Sequence, residues 1–347
     1  MGLTLIIGGI DMATMKAIGV DAKQALVDLT LAQPVATGNQ LVVAVKAISV
    51  NPVDLKLREG VTVETAPKIL GYDAVGTVTA VGPDVTKFKV GDRIYYAGST
   101  QVAGANAEYQ LVDERLASLA PRTLTDAQAA AMPLTTLTAY ELLFEKLQFV
   151  GKANQNQKRT LLIINGGGGV GTIMAQLAHW AGITVLATSS PKNADWLRQN
   201  QVDVPLDYHK DLYAQVREAG YDSVDAIAIL WAPEAYFDVA AKLVKPFGHI
   251  GSIVGSPADL PLYLIKNKAA SFDWEYMFAK SDADYNVASQ GRILQLAARL
   301  FDQGVLTTTL TETMTTGINA ASLNEAHARV GAGHMTGKLV VTGPFNA

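Results

Sequence analysis

The sequence predicts an α/β protein: a small β-barrel of short strands and a doubly wound parallel sheet. Three observations carry this. Residues 15–120 are short, β-rich segments separated by turn signals. Residues 160–254 alternate strand-like and helix-like segments, which requires right-handed crossovers and a parallel sheet. A glycine-rich bend joins the first of those strands to a helix. At 347 residues the chain is long enough for two domains, and it shows no internal repeat or low-complexity tract.

Residues 1–14 (MGLTLIIGGIDMAT) hold an apolar run with no basic flank, and the run ends too early for a secretory signal. They read either as a leader or upstream start or as an N-terminal strand, with the folded pattern beginning at Met15. Residues 40–50 (QLVVAVKAISV), 74–81, 91–96 and 107–112 read as strands, with Gly38-Asn39 and Gly82-Pro83-Asp84 as turns. The pattern changes near Thr125. Residues 126–131 and 138–148 look helical, and 151–158 form a polar loop. Strands are then expected at 160–165, 183–188, 204–207, 224–230, 249–254 and 269–274, with helices such as 172–181 and 193–199 between them. Ile293, Leu294, Ala297, Ala298 and Phe301 recur at helical spacing within 287–303, and the chain returns to a strand at 337–342.

Composition narrows the function. Hydrophobic residues make up 49%, which excludes a disordered chain. The net charge is −4 and no Lys/Arg run occurs, so nucleic acid is not an expected partner. No apolar stretch reaches the ~20 residues of a membrane span. Cysteine is absent, which removes disulfides, cysteine nucleophiles, iron–sulfur clusters and thiolate zinc sites, and fits a reducing, cytoplasmic compartment.

The chemistry starts at residues 160–182 (TLLIINGGGGVGTIMAQLAHWAG). A buried strand runs into Gly166, Gly167, Gly168, Gly169, Val170 and Gly171, and then into an amphipathic helix. Gly166, Gly168 and Gly171 satisfy G-x-G-x-x-G. Glycine permits the tight turn, lets the backbone approach a pyrophosphate, and lets the helix sit close on the strand. The helix start offers N–H groups and a positive dipole end to phosphates. Thr172, not Lys, follows Gly171, so a nucleoside-triphosphate loop is disfavoured.

The end of the second strand selects the cofactor. An NAD site usually places Asp or Glu there for the ribose 2′-hydroxyl. This chain has Thr188, Ser189 and Ser190, with Lys192 just beyond. Hydroxyls and an ammonium would hold a 2′-phosphate that a carboxylate would repel. Two charge-assisted hydrogen bonds, each worth roughly 1.5–3 kcal/mol, would favour NADP(H) over NAD(H) by about a hundredfold or more. Asp195 lies close enough to compete with this reading.

Further segments match in order: MKAIGV at 15–20, Asn51-Pro52-Val53-Asp54-Leu55-Lys56, Gly71-Tyr72-Asp73-Ala74-Val75-Gly76-Thr77-Val78, Val90-Gly91-Asp92-Arg93-Ile94, residues 132–141 (MPLTTLTAYE) and Gly337-Lys338-Leu339-Val340. With the glycine bend they resemble the medium-chain dehydrogenase/reductase superfamily, in particular its zinc-free quinone oxidoreductase branch and the zinc-type alcohol dehydrogenase-like proteins. The resemblance covers nearly everything after residue 14. It implies a GroES-like catalytic barrel from 15–135 and 283–347, a Rossmann NADP(H)-binding domain at 136–282, and a homo-oligomer, most simply a dimer. It also implies that Thr138 meets the nicotinamide phosphate region and that Tyr208 approaches the 2′-phosphate. Leu230 and Ile253 would end strands beside the ligand, and Phe272, Trp274 and Lys338 would close over the dinucleotide. Each apolar member reads equally well as core.

The departure from the zinc branch is legible in the residues. Where that branch has its first Cys this chain has Asn51, and where it has Gly-His-Glu this chain has Gly71-Tyr72-Asp73. The five histidines are His179, His209, His249, His327 and His334, so none precedes residue 179. Carboxylates at Asp54 and Asp73 would suit magnesium or calcium better than zinc, and catalytic zinc is not expected. Without a Lewis acid, the easier reaction is hydride addition to an acceptor that is already electrophilic, a quinone or an α,β-unsaturated carbonyl. Asn51 and Tyr72 are the candidate donors to the developing oxyanion, with Tyr72 or water supplying the proton; alternatively, Asn51 shapes a turn and Tyr72 is barrel core. Tyr276-x-x-x-Lys280 has the short-chain dehydrogenase spelling but sits in the wrong context. An enoyl-thioester reductase and a non-catalytic NADPH-binding protein, crystallin-like or a sensor, remain alternatives on this scaffold.

Overall fold

The computed structural model describes residues 6–7, 10–11 and 13–346. The expectation for residues 1–14 falls largely outside them. Ile6–Ile7 and Ile10–Asp11 pair as a short antiparallel ribbon, and the strand expected from Met15 begins at Thr14.

The chain forms two compact units. One comprises Met1–Leu134, Phe278–Gly304 and Thr308–Ala347; the other comprises Thr135–Met277 and Val305–Thr307. The return to the first unit comes at Phe278 rather than 283, because Phe278 packs edge-on against Tyr72 and Lys280 donates to Ser289. Val305–Thr307 rejoins the second unit through Gln176, whose Oε1 accepts from the Thr307 N–H at 2.7 Å and whose Nε2 donates to the Thr307 carbonyl.

The first unit is built on a seven-stranded sheet centred on the Gln40–Ser49 strand, which pairs with Ala74–Val81, Tyr109–Asp113 and Lys338–Thr342. Near-continuous Val, Ala and Ile make that strand buried on both faces. A short helix at Pro52–Glu59 interrupts the strands, where the sequence reading expected only barrel segments. Its start signals are present: Pro52 fills the first helical position and the Asp54 carboxylate accepts the Asn51 N–H at 2.8 Å.

The second unit is a six-stranded parallel sheet. Its order is Val204–Asp207, Thr184–Ser189, Thr160–Ile164, Val224–Ile229, Val244–Ser252 and Ser271–Trp274. This is the doubly wound Rossmann order, with its switch point between the first and fourth strands in sequence. Leu162, Ile164, Ile227, Ile229 and Ile250 from the sheet pack on Phe237, Ala240 and Leu243 of the Pro233–Leu243 helix. The region read as one helix at 138–148 is an α-helix, Pro133–Tyr140, that widens into a π-helix over Glu141–Lys146. Among the described residues no helix is long and apolar enough to cross a membrane.

Candidate functional site

In the second unit the fully buried Thr160–Ile164 strand ends at Asn165, whose φ of 68° turns the chain. Gly168 caps the Gly169–Trp180 helix. Two glycines are fixed by packing. A Cβ at Gly166 would lie 2.6 Å from the Ala187 Cβ, and one at Gly171 would lie 2.6 Å from the Asn165 carbonyl oxygen. Gly168 differs, since a Cβ there would meet nothing nearer than the Asn165 amide at 3.5 Å. The protein's own packing does not require that glycine. Its bare face leaves half-exposed backbone beside the unpartnered first N–H groups of the helix, which fits a pyrophosphate.

The residues expected around the 2′-phosphate divide into two groups. Thr188 is buried, and its Oγ1 accepts the Asn165 N–H at 2.9 Å while its carbonyl accepts the Gly166 N–H at 2.8 Å. These bonds brace the glycine bend. Ser189 accepts from Asn193 Nδ2 at 3.0 Å, Ser190 is half-buried, and Lys192 is exposed in the Pro191–Asn193 turn. Tyr208 is 47% exposed, and its N–H reaches the Ser189 carbonyl. The competing Asp195 is 87% exposed and paired with Arg198 at 3.0 Å.

Leu230 and Ile253 follow the Val224–Ile229 and Val244–Ser252 strands, the first buried and the second half-buried. Thr138 is buried in the Pro133–Tyr140 helix. Phe272 is half-buried, its ring edge-on against Phe237 at the margin of the sheet's core, while Trp274 beside it is about half-exposed. The sequence reading missed Thr172, whose Oγ1 donates to the Gly168 carbonyl at 2.8 Å and accepts from Trp196 Nε1 at 3.1 Å. A hydroxyl directly after the last glycine was the available signal.

The first unit carries a buried polar cluster. Lys338 Nζ reaches Asn51 Oδ1 at 2.5 Å, Asp73 Oδ2 at 3.1 Å and the Val50 carbonyl at 3.3 Å. Asn51 Nδ2 donates to Asp73 Oδ2 at 2.8 Å, and Asp73 Oδ1 accepts the Leu134 N–H at 2.7 Å. Asp54 accepts the N–H groups of Asn51 and Gly71. Burial pushes the Asp54 carboxyl up to about 7 and raises Asp73 as well, with Lys338 pulling both back down. Three residues singled out in the sequence lie here. Lys338 is buried in this unit, where these partners offset the cost of burying its ammonium. The Asn51 amide is committed to Asp73 and Lys338. Tyr72 is fully buried with its ring 5.2 Å from that of Phe278.

Residues 37–122 match the alcohol dehydrogenase GroES-like domain family, and residues 200–341 match the zinc-binding dehydrogenase family. The chain is 37% identical over 335 residues to the zinc-type alcohol dehydrogenase-like protein of Staphylococcus epidermidis, covering 94% of this chain and 99% of that one. It is 33% identical over 250 residues to the chloroplastic NADPH-dependent alkenal/one oxidoreductase of Arabidopsis thaliana, covering 69% of this chain and 60% of that one. A solved Rhizobium etli structure described as a zinc-dependent alcohol dehydrogenase superposes with a TM-score of 0.90 at 38% identity, covering 97% of this chain and all (100%) of that one. A mycobacterial structure complexed with NADPH gives 0.78 at 27% identity, covering 95% and 100%.

The zinc in these names does not fit this chain. Asn51 and Tyr72 offer an amide and a phenol where thiolate and imidazole would be needed, and a buried ammonium already sits on Asp73. Among the described residues no group of three His, Cys, Asp or Glu could hold a metal ion. The glycine bend, the strand order and the matched domains agree on one conclusion: the chain belongs to the medium-chain dehydrogenase/reductase superfamily of nicotinamide-dependent oxidoreductases, among its zinc-type alcohol dehydrogenase-like members.

Proposed function

We propose that the protein is an NADPH-dependent reductase of quinones or α,β-unsaturated carbonyls that works without a catalytic metal. The observation that carries the cofactor reading is the turn after Thr184–Ser189. It presents Ser189, Ser190 and Lys192, and the Asp195 carboxylate that follows is paired with Arg198. The name of the Arabidopsis relative supports the same cofactor and acceptor class. Gly168, Gly169, Val170 and Gly171 hold the pyrophosphate through backbone N–H groups, Gly166 lets the chain turn close beside it, and Lys192 with Tyr208 holds the 2′-phosphate. Bound NADPH supplies a hydride for an electron-poor carbon. With Asn51 and Tyr72 enclosed, the protein's contribution is orientation and exclusion of water, and the proton comes from solvent. A homodimer in the cytoplasm is proposed with this reading; light scattering and fractionation would test these two parts.

The test is a titration of NADPH and NADH against the wild type and Lys192→Ala. The wild type should prefer NADPH by about a hundredfold, and the variant should lose about tenfold of that, one charge-assisted contact. An unchanged ratio would refute the role of Lys192.

A further inference from the structure

Asp207 ends the strand next to Ser189, its register partner, and the Tyr208 N–H reaches the Ser189 carbonyl. Residues 207–209 therefore flank the Ser189–Lys192 turn. A carboxylate at this place opposes a phosphate dianion. Two bonds from His209 answer it: the His209 N–H and Nδ1 both meet Asp207 Oδ1, at 3.0 and 2.9 Å. The main-chain bond alone is an ordinary Asx turn. The ring bond adds a group that, carrying a proton, cancels the carboxylate's charge. We propose that Asp207 and His209 form a charge-compensating pair that sets the preference for a 2′-phosphorylated dinucleotide, with His209 as a specificity-determining residue beside Lys192. The proposal rests on the cofactor reading above.

The pair is held in place. Gln215 Oε1 accepts the Asp207 N–H at 2.9 Å, and Gln215 Nε2 donates to the Asp207 carbonyl at 2.8 Å. The Tyr208 ring lies against the His209 ring, centroids 4.1 Å apart and planes tilted by 36°. The bonds from the His209 main chain and ring hold the Asp207 carboxyl below the usual carboxylate range, so its negative charge is present at neutral pH. The His209 side chain is 58% exposed, so with Nδ1 on Asp207 its Nε2 is open to a ligand.

The experiment is calorimetric titration of the full chain with NADPH, NADH, 2′,5′-ADP and 5′-ADP. The proteins are the wild type, His209→Ala, His209→Gln and Asp207→Asn/His209→Ala. His209→Ala should weaken NADPH and 2′,5′-ADP by about tenfold, one charge-assisted contact, and leave NADH and 5′-ADP within about twofold. His209→Gln, which keeps a hydrogen bond without a charge, should fall between. The double variant should regain most of the lost affinity because the exposed carboxylate is gone. If the wild type prefers NADPH and His209→Ala keeps the same ratio, this proposal is overturned and the cofactor reading stands. If the double variant is no better than His209→Ala, charge compensation is wrong. If the wild type binds both dinucleotides equally, the cofactor reading falls and takes the proposal with it.

Discussion

Lys338 Nζ donates to Asn51 Oδ1, joining residues 287 positions apart in the interior of the first unit. The antiparallel register that pairs Val340 with Ser49 brings the two together, since Lys338 lies two residues before Val340 and Asn51 two residues after Ser49. The same ammonium meets Asp73, so one side chain both fixes the Asn51 amide and neutralises a buried carboxylate. A covalently held cation thus stands among the residues that replace the zinc branch's Cys and His.

Removing that cation takes the ammonium from the buried Asp73 carboxyl, which is left with the Asn51 Nδ2 and Leu134 N–H donors. Lys338→Met should lower the unfolding free energy by about 3–5 kcal/mol in urea titration, the usual loss when one partner of a buried pair is deleted. Adding Asp73→Asn should recover part of it. An unchanged urea midpoint for Lys338→Met would show that the pair does not support the fold.

The glycines of the bend separate fold from binding. Gly171→Ala would drive a Cβ to 2.6 Å from a backbone oxygen, so thermal stability and NADPH binding should fall together. Gly168→Ala meets only ordinary contact at 3.5 Å, so the melting temperature should hold while NADPH affinity drops by about tenfold or more. Equal NADPH affinity in Gly168→Ala and the wild type would remove the pyrophosphate from this loop.

His327 gives an acid limit to stability. It is buried, and neither ring nitrogen has a hydrogen-bond partner among the described residues. Burial, helped by the nearby Arg58 charge, pushes its pKa down to about 4. The unfolded chain takes up this proton near the ordinary ~6.5, so the native state loses stability as pH falls from ~6.5 to about 4, by about 3 kcal/mol in all. Above that window the contribution is complete. Urea midpoints measured across it should slope for the wild type and flatten for His327→Leu; parallel curves would contradict the assignment.

How far the sequence reached depends on the range of the interaction. The glycine bend and the strands around it were legible because buried strand, turn and helix start are contiguous. The Pro52–Glu59 helix was overlooked although Asn51, Pro52 and Asp54 spell its start, since eight residues are too few for a periodic pattern. The packing of Lys338 and Thr188 was not legible for another reason. Their partners, Asn51 and Asn165, are set by strand register and loop path, which spacing does not encode. Phe272 reads the same on paper whether it covers a ligand or Phe237. His209 had a signal that went unused: Asp-x-His at a strand end, the spacing of an Asx turn.

The central claim is metal-independent hydride transfer from NADPH. It is tested by assaying NADPH and NADH oxidation with a quinone and with an α,β-unsaturated ketone, on protein chelated until metal analysis finds no zinc. Undiminished turnover with NADPH, far ahead of NADH, is the expected result. Activity that returns only when zinc is restored, or NADH serving equally well, would contradict the account.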